Sequence, residues 1–308
     1  MTFPRHSRFR REENFAPMEL TARDAEILRA VHRHRFLRSH QIAELVGGSR
    51  QQVLRRLQKL FHHGYLERPV CQLDYFQRGG STRMVYGLGN RGAAFLRRHD
   101  NLPPFRFNWG ARNRAVQRLF LEHALLIAEV MLAFERACRA QKNVRLLADD
   151  TLPIPAETQQ QREPFHWRVR LRNGEKIGVI PDKVFALENT SESGAVRRTL
   201  YFLEADRGTM PVQRTTLATS SFARKLYAYE ATWEQAVHRS RFDFSRVRVL
   251  TVTTSTARLE NLTAAAAELK RGNGLFLFTD AKAVSSAADV FALPWRKSDG
   301  STATLLAK

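Results

Sequence analysis

Residues 176–187 read KIGVIPDKVFAL and residues 199–208 read TLYFLEADRG, two apolar stretches that each carry acidic residues. Because side chains alternate between the two faces of a β-strand, Glu204 and Asp206 are predicted to share one face. A neighbouring strand bearing Asp182 brings a third carboxylate to the same sheet edge. Carboxylates repel one another unless a cation lies among them, and hard oxygen ligands suit Mg²⁺ or Mn²⁺. The two stretches therefore predict a metal-dependent site for cutting phosphodiesters.

The charge of the chain favours a polyanionic partner. Its 308 residues include 50 Lys and Arg against 30 Asp and Glu, a formal net charge of +20. The excess is greatest in residues 1–118, with about 23 basic against about 9 acidic residues. Arginine pairs bidentately with phosphate and guanine, so its abundance favours nucleic acid over an anionic membrane surface. The length allows two domains with separate cores.

Several classes of protein are excluded by missing motifs. The two cysteines, Cys71 and Cys138, lie too far apart in sequence to indicate a zinc site or a disulfide framework. The sequence contains no Walker phosphate loop and no Gly-x-Ser-x-Gly nucleophile elbow. The N-terminus lacks the apolar core of a signal peptide, and the most apolar stretch, 124–134, is short and contains Glu129. We expect a soluble, cytoplasmic protein.

Residues 20–100 follow the order of a winged helix-turn-helix. Thr21, Ser39 and Ser49 are each placed to cap a helix. A β-hairpin with basic residues at its tip follows as the wing, and a last helix closes the domain. The predicted elements are helices over 22–34, 41–46, 50–61 and 90–98 and a hairpin over 64–88.

The third of these helices has the composition of a DNA-recognition helix. Its apolar residues form one stripe, and Arg and Gln dominate its first turn. The alternative is that exposed arginines only solubilise a three-helix module. The predicted contacts to base edges are Arg50, Gln51, Gln52 and Arg55. The predicted contacts to phosphates are Arg56, Lys59, Arg78 and Arg83.

The sequence predicts four segments. A basic arm over 1–19 precedes the DNA-binding domain at 20–100. Two prolines and several basic residues mark 101–118 as a linker that can follow a DNA backbone. Residues 119–308 form the second domain.

The second domain has the element order helix, three strands, helix, strand. The predicted elements are a helix over 119–140, strands over 166–172, 176–187 and 199–206, a helix over 221–238, a strand over 246–254, a helix over 257–271 and a strand over 274–279. This is the core order of the PD-(D/E)XK nuclease superfamily, which the chain resembles at Pro181-Asp182, at Glu204-Ala205-Asp206 and at Lys225 and Tyr229, one helical turn apart. The resemblance implies an α+β protein whose central mixed sheet is flanked by helices.

Asp206 stands where that superfamily has a lysine that helps to activate water. The resemblance implies either that Lys225 replaces this lysine or that the site has lost cutting and kept the fold. The predicted catalytic residues are therefore Asp182, Glu204, Asp206 and Lys225. Two open alternatives are that Asp182 only forms a turn and that the acidic pair of the third strand simply binds Arg198 or Arg207.

Glu129 is a fourth candidate metal ligand. It lies in a helix that is apolar nearly all round, and a buried carboxylate is costly unless it is paired or metal-bound. A salt bridge to an interior arginine is an equal alternative. The predicted metal ligands are Asp182, Glu204, Asp206 and Glu129.

Nearly the whole chain is similar to the replication-relaxation family, which includes MobC-type relaxases of plasmids and integrative elements. The similarity rests on residues 20–28, 35–42 and 204–209, on His123, on Pro181-Asp182 and on the helix from Lys225 to Tyr229. Glu-x-Asp-Arg-Gly-Thr is usual in this family, so Asp206 is compatible with activity. The resemblance implies that the protein binds double-stranded DNA and the nicked or single strand, and nicks a transfer origin with Mg²⁺ or Mn²⁺ during conjugative mobilisation. A coupling protein or accessory relaxosome proteins are the further partners it implies.

Two other functions compete with the relaxase. One is a transcription or plasmid-replication regulator that has the same DNA-binding domain and an inert nuclease fold. The other is a defence nuclease that cuts foreign DNA. The metal triad of tyrosine relaxases, His-hydrophobic-His, is absent from the sequence, because His32-Arg33-His34 has a charged centre.

Overall fold

The computed structural model describes residues 8–12, 15–72, 83–101, 108–148, 151–212, 221–270 and 274–306. The chain divides into two compact units, Met1–Ala128 and Glu129–Lys308. The division falls after Ala128, whereas the sequence predicts that the second domain begins at residue 119. No helix in the described ranges is both long and apolar enough to cross a bilayer.

The first unit combines a three-helix array with a small antiparallel sheet, ordered β1-β3-β2. The helix bounds predicted for this region are confirmed to within two residues at either end. The hairpin tip, with Arg78, lies outside the described residues, so the wing stays a prediction. The elements are α1 Ala22–His34, β1 Phe36–Arg38, α2 Ser39–Val46, α3 Arg50–His62, β2 Leu66–Glu67, a 3₁₀ turn Val70–Gln72, β3 Val85–Leu88, α4 Asn90–His99 and α5 Trp109–Arg114.

Local chemistry explains where the first helices begin. Thr21 and Asp24 form a reciprocal capping box, in which each side chain accepts a hydrogen bond from the other residue's backbone N–H. Ser49 occupies the N-cap of α3 but makes no side-chain capping bond. Gly87 is required where β3 passes Phe36, because a Cβ there would lie 2.8 Å from the ring.

Part of the predicted linker is a helix of the first unit. In α5, Asn113 is 1% exposed and donates a hydrogen bond to the Leu88 carbonyl at 2.9 Å. Arg114 pairs with Glu67 of β2 at 3.1 Å. The region predicted as a linker from its basic composition therefore contains a short helix that packs on the sheet.

The second unit contains a seven-stranded mixed sheet, ordered β12-β11-β10-β9-β8-β7-β4. Strands β8, β9 and β10 are parallel, and the other pairings are antiparallel. The division between the units falls within α6, the first helix of the predicted second domain. The elements are α6 Arg118–Ala140, β4 Val144–Ala148, α7 Ala156–Gln159, β5 Trp167–Arg170, β6 Lys176–Val179, β7 Lys183–Thr190, β8 Val196–Asp206, α8 Phe222–Glu234, α9 Val237–Ser240, β9 Val247–Thr253, α10 Thr256–Ala267, β10 Phe276–Asp280, α11 Ala281–Ser286, β11 Trp295–Arg296 and β12 Thr302–Ala303.

The single strand predicted over 176–187 is wrong. β6 pairs with β5 in a separate two-stranded sheet, whereas β7 starts at Lys183 and pairs with β8. Pro181, which cannot donate a ladder hydrogen bond, lies in the break between the two strands. Asp182 consequently lies in the turn just before β7.

Alternation along β8 determines which side chains can meet. Phe202 packs with Trp167, Tyr229 and Phe242 on one face of the sheet. Tyr201 faces the other way and stacks with Phe185 at 5.2 Å between ring centroids. Even-numbered residues of β8 therefore face helices α8 and α10.

Candidate active site and nucleic-acid interface

Glu204 and Asp206 lie at the C-terminal end of β8, and their side chains project onto the same face, as predicted. Both are nearly inaccessible to solvent, with 2% and 7% of their surfaces exposed. In the parallel ladder with β9 they lie opposite Thr251 and Thr253. The sheet thus brings two carboxylates to the ends of parallel strands, where α8 and α10 can supply partners.

Glu204 accepts hydrogen bonds from two residues of α8. Lys225 Nζ lies 2.5 Å from Glu204 Oε2, and Tyr229 Oη lies 2.5 Å from Oε1. The two donors are one helical turn apart, so they reach the same carboxylate. Tyr229 is buried, whereas the Lys225 side chain is 36% exposed and is the solvent-facing member of this triad.

Asp182 is fastened to the same strand. Its backbone N–H donates to the Leu203 carbonyl at 3.0 Å, and its Oδ2 accepts from the Ala205 N–H at 2.8 Å. Asp182 thus spans the backbone on either side of Glu204. The structure brings together the predicted residues Asp182, Glu204 and Lys225.

The pKa of Glu204 reflects above all the burial of its side chain. Burial first, and then the nearby Asp182 carboxylate, raise this pKa to about 7 against the lowering effects of Lys225 and Tyr229. One ammonium group therefore compensates two carboxylates only in part. A cavity of about 290 Å³ adjoins the triad and is also lined by Ser221.

Asp206 has a different partner. Arg258 of α10 binds it bidentately, with Nε 2.7 Å from Oδ2 and Nη2 2.9 Å from Oδ1. Thr253 donates a further hydrogen bond to Oδ2 at 3.1 Å. Because arginine is a permanent cation, the charge of Asp206 is already neutralised within the protein.

The sequence pattern suggested Arg198 or Arg207 as the partner of Asp206, whereas the partner in the structure is Arg258. Arg198 instead pairs with Glu188 across β7 and β8, 2.7 Å apart. Arg258 follows Asp206 by 52 residues, in a helix after a parallel strand. The only sequence signal for it is that helices after β9 and β8 cover the same sheet face.

Glu129 lies in α6 and is partly exposed, not buried as predicted. It engages in its own interactions, so it is no unpaired charge. Within the described ranges, no group of three or more His, Cys, Asp or Glu side chains is arranged to hold a metal ion. Ligation of a metal by Glu129 or Asp206 stays a prediction.

Two carboxylates do fit a single divalent cation. Asp182 and Glu204 supply hard oxygen donors, the ligand type that Mg²⁺ and Mn²⁺ take in proteins. Asp206 does not extend this donor set in the present arrangement, since Arg258 occupies the position of its counter-ion.

The predicted base-contacting residues share the exposed face of α3. Arg50, Gln51, Gln52 and Arg55 are all exposed. Of the apolar residues of the helix, Leu54 is exposed as well, and the buried ones are Val53, Leu57, Leu60 and Phe61. Of the predicted phosphate contacts, Arg83 is exposed and Lys59 is partly exposed. The exposed polar face agrees with the sequence-based prediction, and base contact itself stays a prediction.

Arg56 is committed elsewhere. Its guanidinium binds the fully buried Asp24 side chain through both oxygens, with Nε 2.9 Å from Oδ1, and also donates to the Glu19 carbonyl at 2.8 Å. Its predicted role as a phosphate contact stays a prediction, but its contacts are those of an internal brace between α1 and α3.

A cationic cluster around His40 was not predicted. Burial, followed by the positive charges of Arg83, Arg38 and Arg50, lowers the pKa of the His40 imidazole to about 4. Arg50 of α3 and Arg83 near β3 thus each place positive charge near the imidazole of His40. Such a concentration of like charge favours binding of an anion.

The two units define a protein that carries a basic helical module and a carboxylate-bearing mixed sheet in one chain. The family model described as replication-relaxation matches residues 28–245, more than half of the chain. The chain therefore belongs to the replication-relaxation family, which confirms the resemblance in sequence and implies an interaction with DNA. No curated protein and no solved structure matched the chain.

Proposed function

We propose that this protein binds DNA and nicks one strand at the transfer origin of a mobile element, in a metal-dependent reaction that starts conjugative mobilisation. The observation that carries the proposal is the triad of Glu204, Lys225 and Tyr229 beside Asp182 at the end of β8. Family membership supports a role in replication or mobilisation.

In this proposal the exposed face of α3 reads duplex DNA. Arg50 and Arg83 each place positive charge near His40, and a phosphate bound there would be attracted to both. Gln51, Gln52 and Arg55 are exposed and able to reach base edges in a major groove. The net charge of +20 supports association with a polyanion.

Asp182 and Glu204 would hold one Mg²⁺ or Mn²⁺ ion. When bound, such an ion polarises a phosphate oxygen and lowers the pKa of a coordinated water. Tyr229 fixes the orientation of Glu204 through its hydrogen bond. Lys225 reaches solvent and presents an ammonium group to the negative charge that develops on the phosphate.

The regulator is the second candidate, and a specific observation favours it. Glu204 and Asp206 are both satisfied by cations of the protein, an arrangement that a purely structural sheet would also need. An inert fold predicts DNA binding without cutting. A defence nuclease would share the cutting but would lack preference for a transfer origin.

The experiment is cleavage of supercoiled plasmid carrying the native locus, with Mn²⁺, Mg²⁺ or EDTA. We expect metal-dependent conversion to open circle that falls at least about 100-fold in Asp182→Ala and Glu204→Ala, since each would remove half of the cation's protein ligands. Glu188→Ala is the matched control, because Glu188 is a buried, arginine-paired carboxylate of the same sheet. Plasmid that is bound but never nicked by the wild type would support the regulator.

A further inference from the structure

A basic cleft lies on the face of the seven-stranded sheet away from Glu204. Its volume is about 310 Å³, and its floor includes the buried ring of Tyr201. Arg197 at the start of β8, Arg246 and Arg248 around the start of β9, and Lys297 after β11 border it. Neither the family match nor the proposed nicking reaction assigns a role to this cleft.

The cleft is distinct from the carboxylate site. Arg197 and Glu204 are seven residues apart on β8, so they are separated by about 23 Å along the strand. They also belong to opposite faces of that strand, because an odd spacing reverses the side-chain direction. The two sites therefore lie on opposite faces of the sheet, and the Arg197 end of the cleft is the part farthest from Glu204.

Within the part of the chain that the structure describes, the cations that border the cleft have no counter-ion. No acidic residue lines the cleft among the described residues, and within those residues Arg197, Arg246 and Lys297 form no ion pair. The neighbouring Arg198, which faces the other side of the sheet, is paired with Glu188. Among the described residues, Arg198 thus has an acidic partner on one face of the sheet, whereas Arg197, Arg246 and Lys297 have none on the other.

The arrangement of these cations suits a row of anions more than a single one. Arg197 extends from β8 and Lys297 follows β11, three strand spacings away in the sheet order, or about 14 Å. That distance exceeds the span of one phosphate group. Thr199 adds a hydroxyl group at the partly exposed wall.

We infer that this cleft binds the sugar–phosphate backbone of a single nucleic-acid strand. The inference rests on the proposed function only in taking DNA as the substrate. The cleft would hold a strand at a distance from the carboxylates that are proposed to bind the metal ion. A row of cations recognises successive phosphates through charge and without regard to sequence. Free phosphate esters carry the same chemistry, so the test separates the two sources.

The test measures the affinity of the full chain for a labelled single strand across a range of KCl concentrations. The variant Arg197→Ala/Arg246→Ala/Lys297→Ala removes three cleft cations. We expect at least a tenfold loss of affinity at fixed salt and a slope of log K against log[salt] that is shallower by about 2, since each single-strand phosphate contact contributes about 0.7.

The matched control is Arg162→Ala/Arg168→Ala/Lys282→Ala, which removes the same charge from exposed positions outside the cleft. Equal losses of affinity and slope in the two variants would overturn the inference. Arg197→Lys/Arg246→Lys keeps the charge and is expected to keep the slope, which guards against misfolding of the triple variant. A loss of slope in this lysine variant would also count against the inference.

Two further arms separate the possible failures. Strand binding is measured in EDTA and nicking of the supercoiled plasmid is scored separately with Mn²⁺, so strand binding and nicking can fail independently. Millimolar ATP is the probe for a free phosphate ester and millimolar inorganic phosphate the probe for a free anion, and we expect neither to displace the strand. Displacement of the strand by ATP, with ATP binding lost in the triple variant, would assign the cleft to a nucleotide and overturn strand binding.

Discussion

Glu204 and Asp206 are only two residues apart on β8, but their carboxylates have different electrostatic environments in the fold. Glu204 shares one flexible ammonium group with Asp182, whereas Asp206 is bound by a rigid guanidinium fork. A lysine can move away from a carboxylate when another cation arrives, but a bidentate arginine loses two aligned hydrogen bonds if it leaves. In the proposed mechanism Glu204 is therefore the carboxylate whose cation can be exchanged for a metal ion, whereas Asp206 and Arg258 form a structural pair.

We predict that Arg258→Ala lowers the free energy of unfolding by about 3 kcal/mol, because it leaves the carboxylate of Asp206 buried without its cation. Asp206→Ala should cost a similar amount. The double variant should cost clearly less than the sum, since the lost interaction is common to both changes. Urea unfolding of the four proteins measures the coupling, and additive losses would contradict the pairing. Arg162→Ala, at an exposed site, should change stability by no more than about 0.5 kcal/mol.

At the scale of elements, the arginines of helix α3 lie in two different environments. Arg55 is exposed on the outer face, while Arg56, one residue later, turns toward α1 and binds Asp24. Successive helical residues differ in direction by about 100°, so adjacent arginines can have unrelated roles. Composition alone could not separate them, because the sequence does not show which arginine meets a buried carboxylate.

We predict that Arg55→Ala weakens duplex binding by about 1–3 kcal/mol with little change in stability, as expected for loss of a base contact. Arg56→Ala should instead destabilise the first unit and leave the affinity of the folded protein nearly unchanged. Band-shift titration and thermal unfolding of both variants give the two readouts. Exchange of the two phenotypes would show that the braced arginine, rather than the exposed one, contacts DNA.

The Asp24–Arg56 pair also predicts a pH dependence. Burial raises the pKa of Asp24, but the hydrogen bonds from Arg56 and Thr21 outweigh it, so the pKa is lowered from 3.8. The folded state thus holds the proton less tightly than the unfolded state, and the pair stabilises the fold above the unfolded pKa. That stability is lost as pH falls through the lowered folded pKa.

We therefore expect the unfolding temperature to drop as pH is lowered from about 4 toward 2, and to drop less in Arg56→Met. The variant removes the cation that keeps Asp24 ionised, while methionine retains much of the side-chain volume. Circular dichroism melts across this range measure the difference. Parallel curves for the two proteins would mean that other carboxylates dominate the acid response.

Several elements could be predicted from local pattern because local chemistry determines them. Thr21 marks the start of α1, and the alternation of Glu204 and Asp206 gives their common face. The break at Pro181 was missed because a continuous apolar run looks like one strand until its pairing partners are known. Arg258 was missed because a contact across 52 residues depends on the parallel crossover, which no local pattern encodes.

For the whole molecule, the central question is whether a divalent cation completes the carboxylate site. Asp182 and Glu204 are held against β8 by separate contacts, so the folded chain presents them together and the unfolded chain does not. A ligand that binds only the folded state stabilises it by mass action, by about 2.7 kcal/mol at a concentration 100 times its Kd. Metal binding should therefore be visible without any cleavage of DNA.

We predict that Mn²⁺ raises the unfolding temperature of the second unit by about 5 °C relative to EDTA. The increase should disappear in Asp182→Ala and Glu204→Ala, because each variant removes one of the two oxygen donors. It should persist in Asp206→Asn/Arg258→Leu, which replaces the structural pair with uncharged groups, and in Glu188→Ala. Differential scanning calorimetry with and without the ion measures these shifts. A shift that depends on Asp206 but not on Glu204 would place the cation at the other carboxylate. If the ion shifts the unfolding temperature of none of these proteins, the sheet edge is a scaffold in which Lys225 and Arg258 already neutralise the carboxylates.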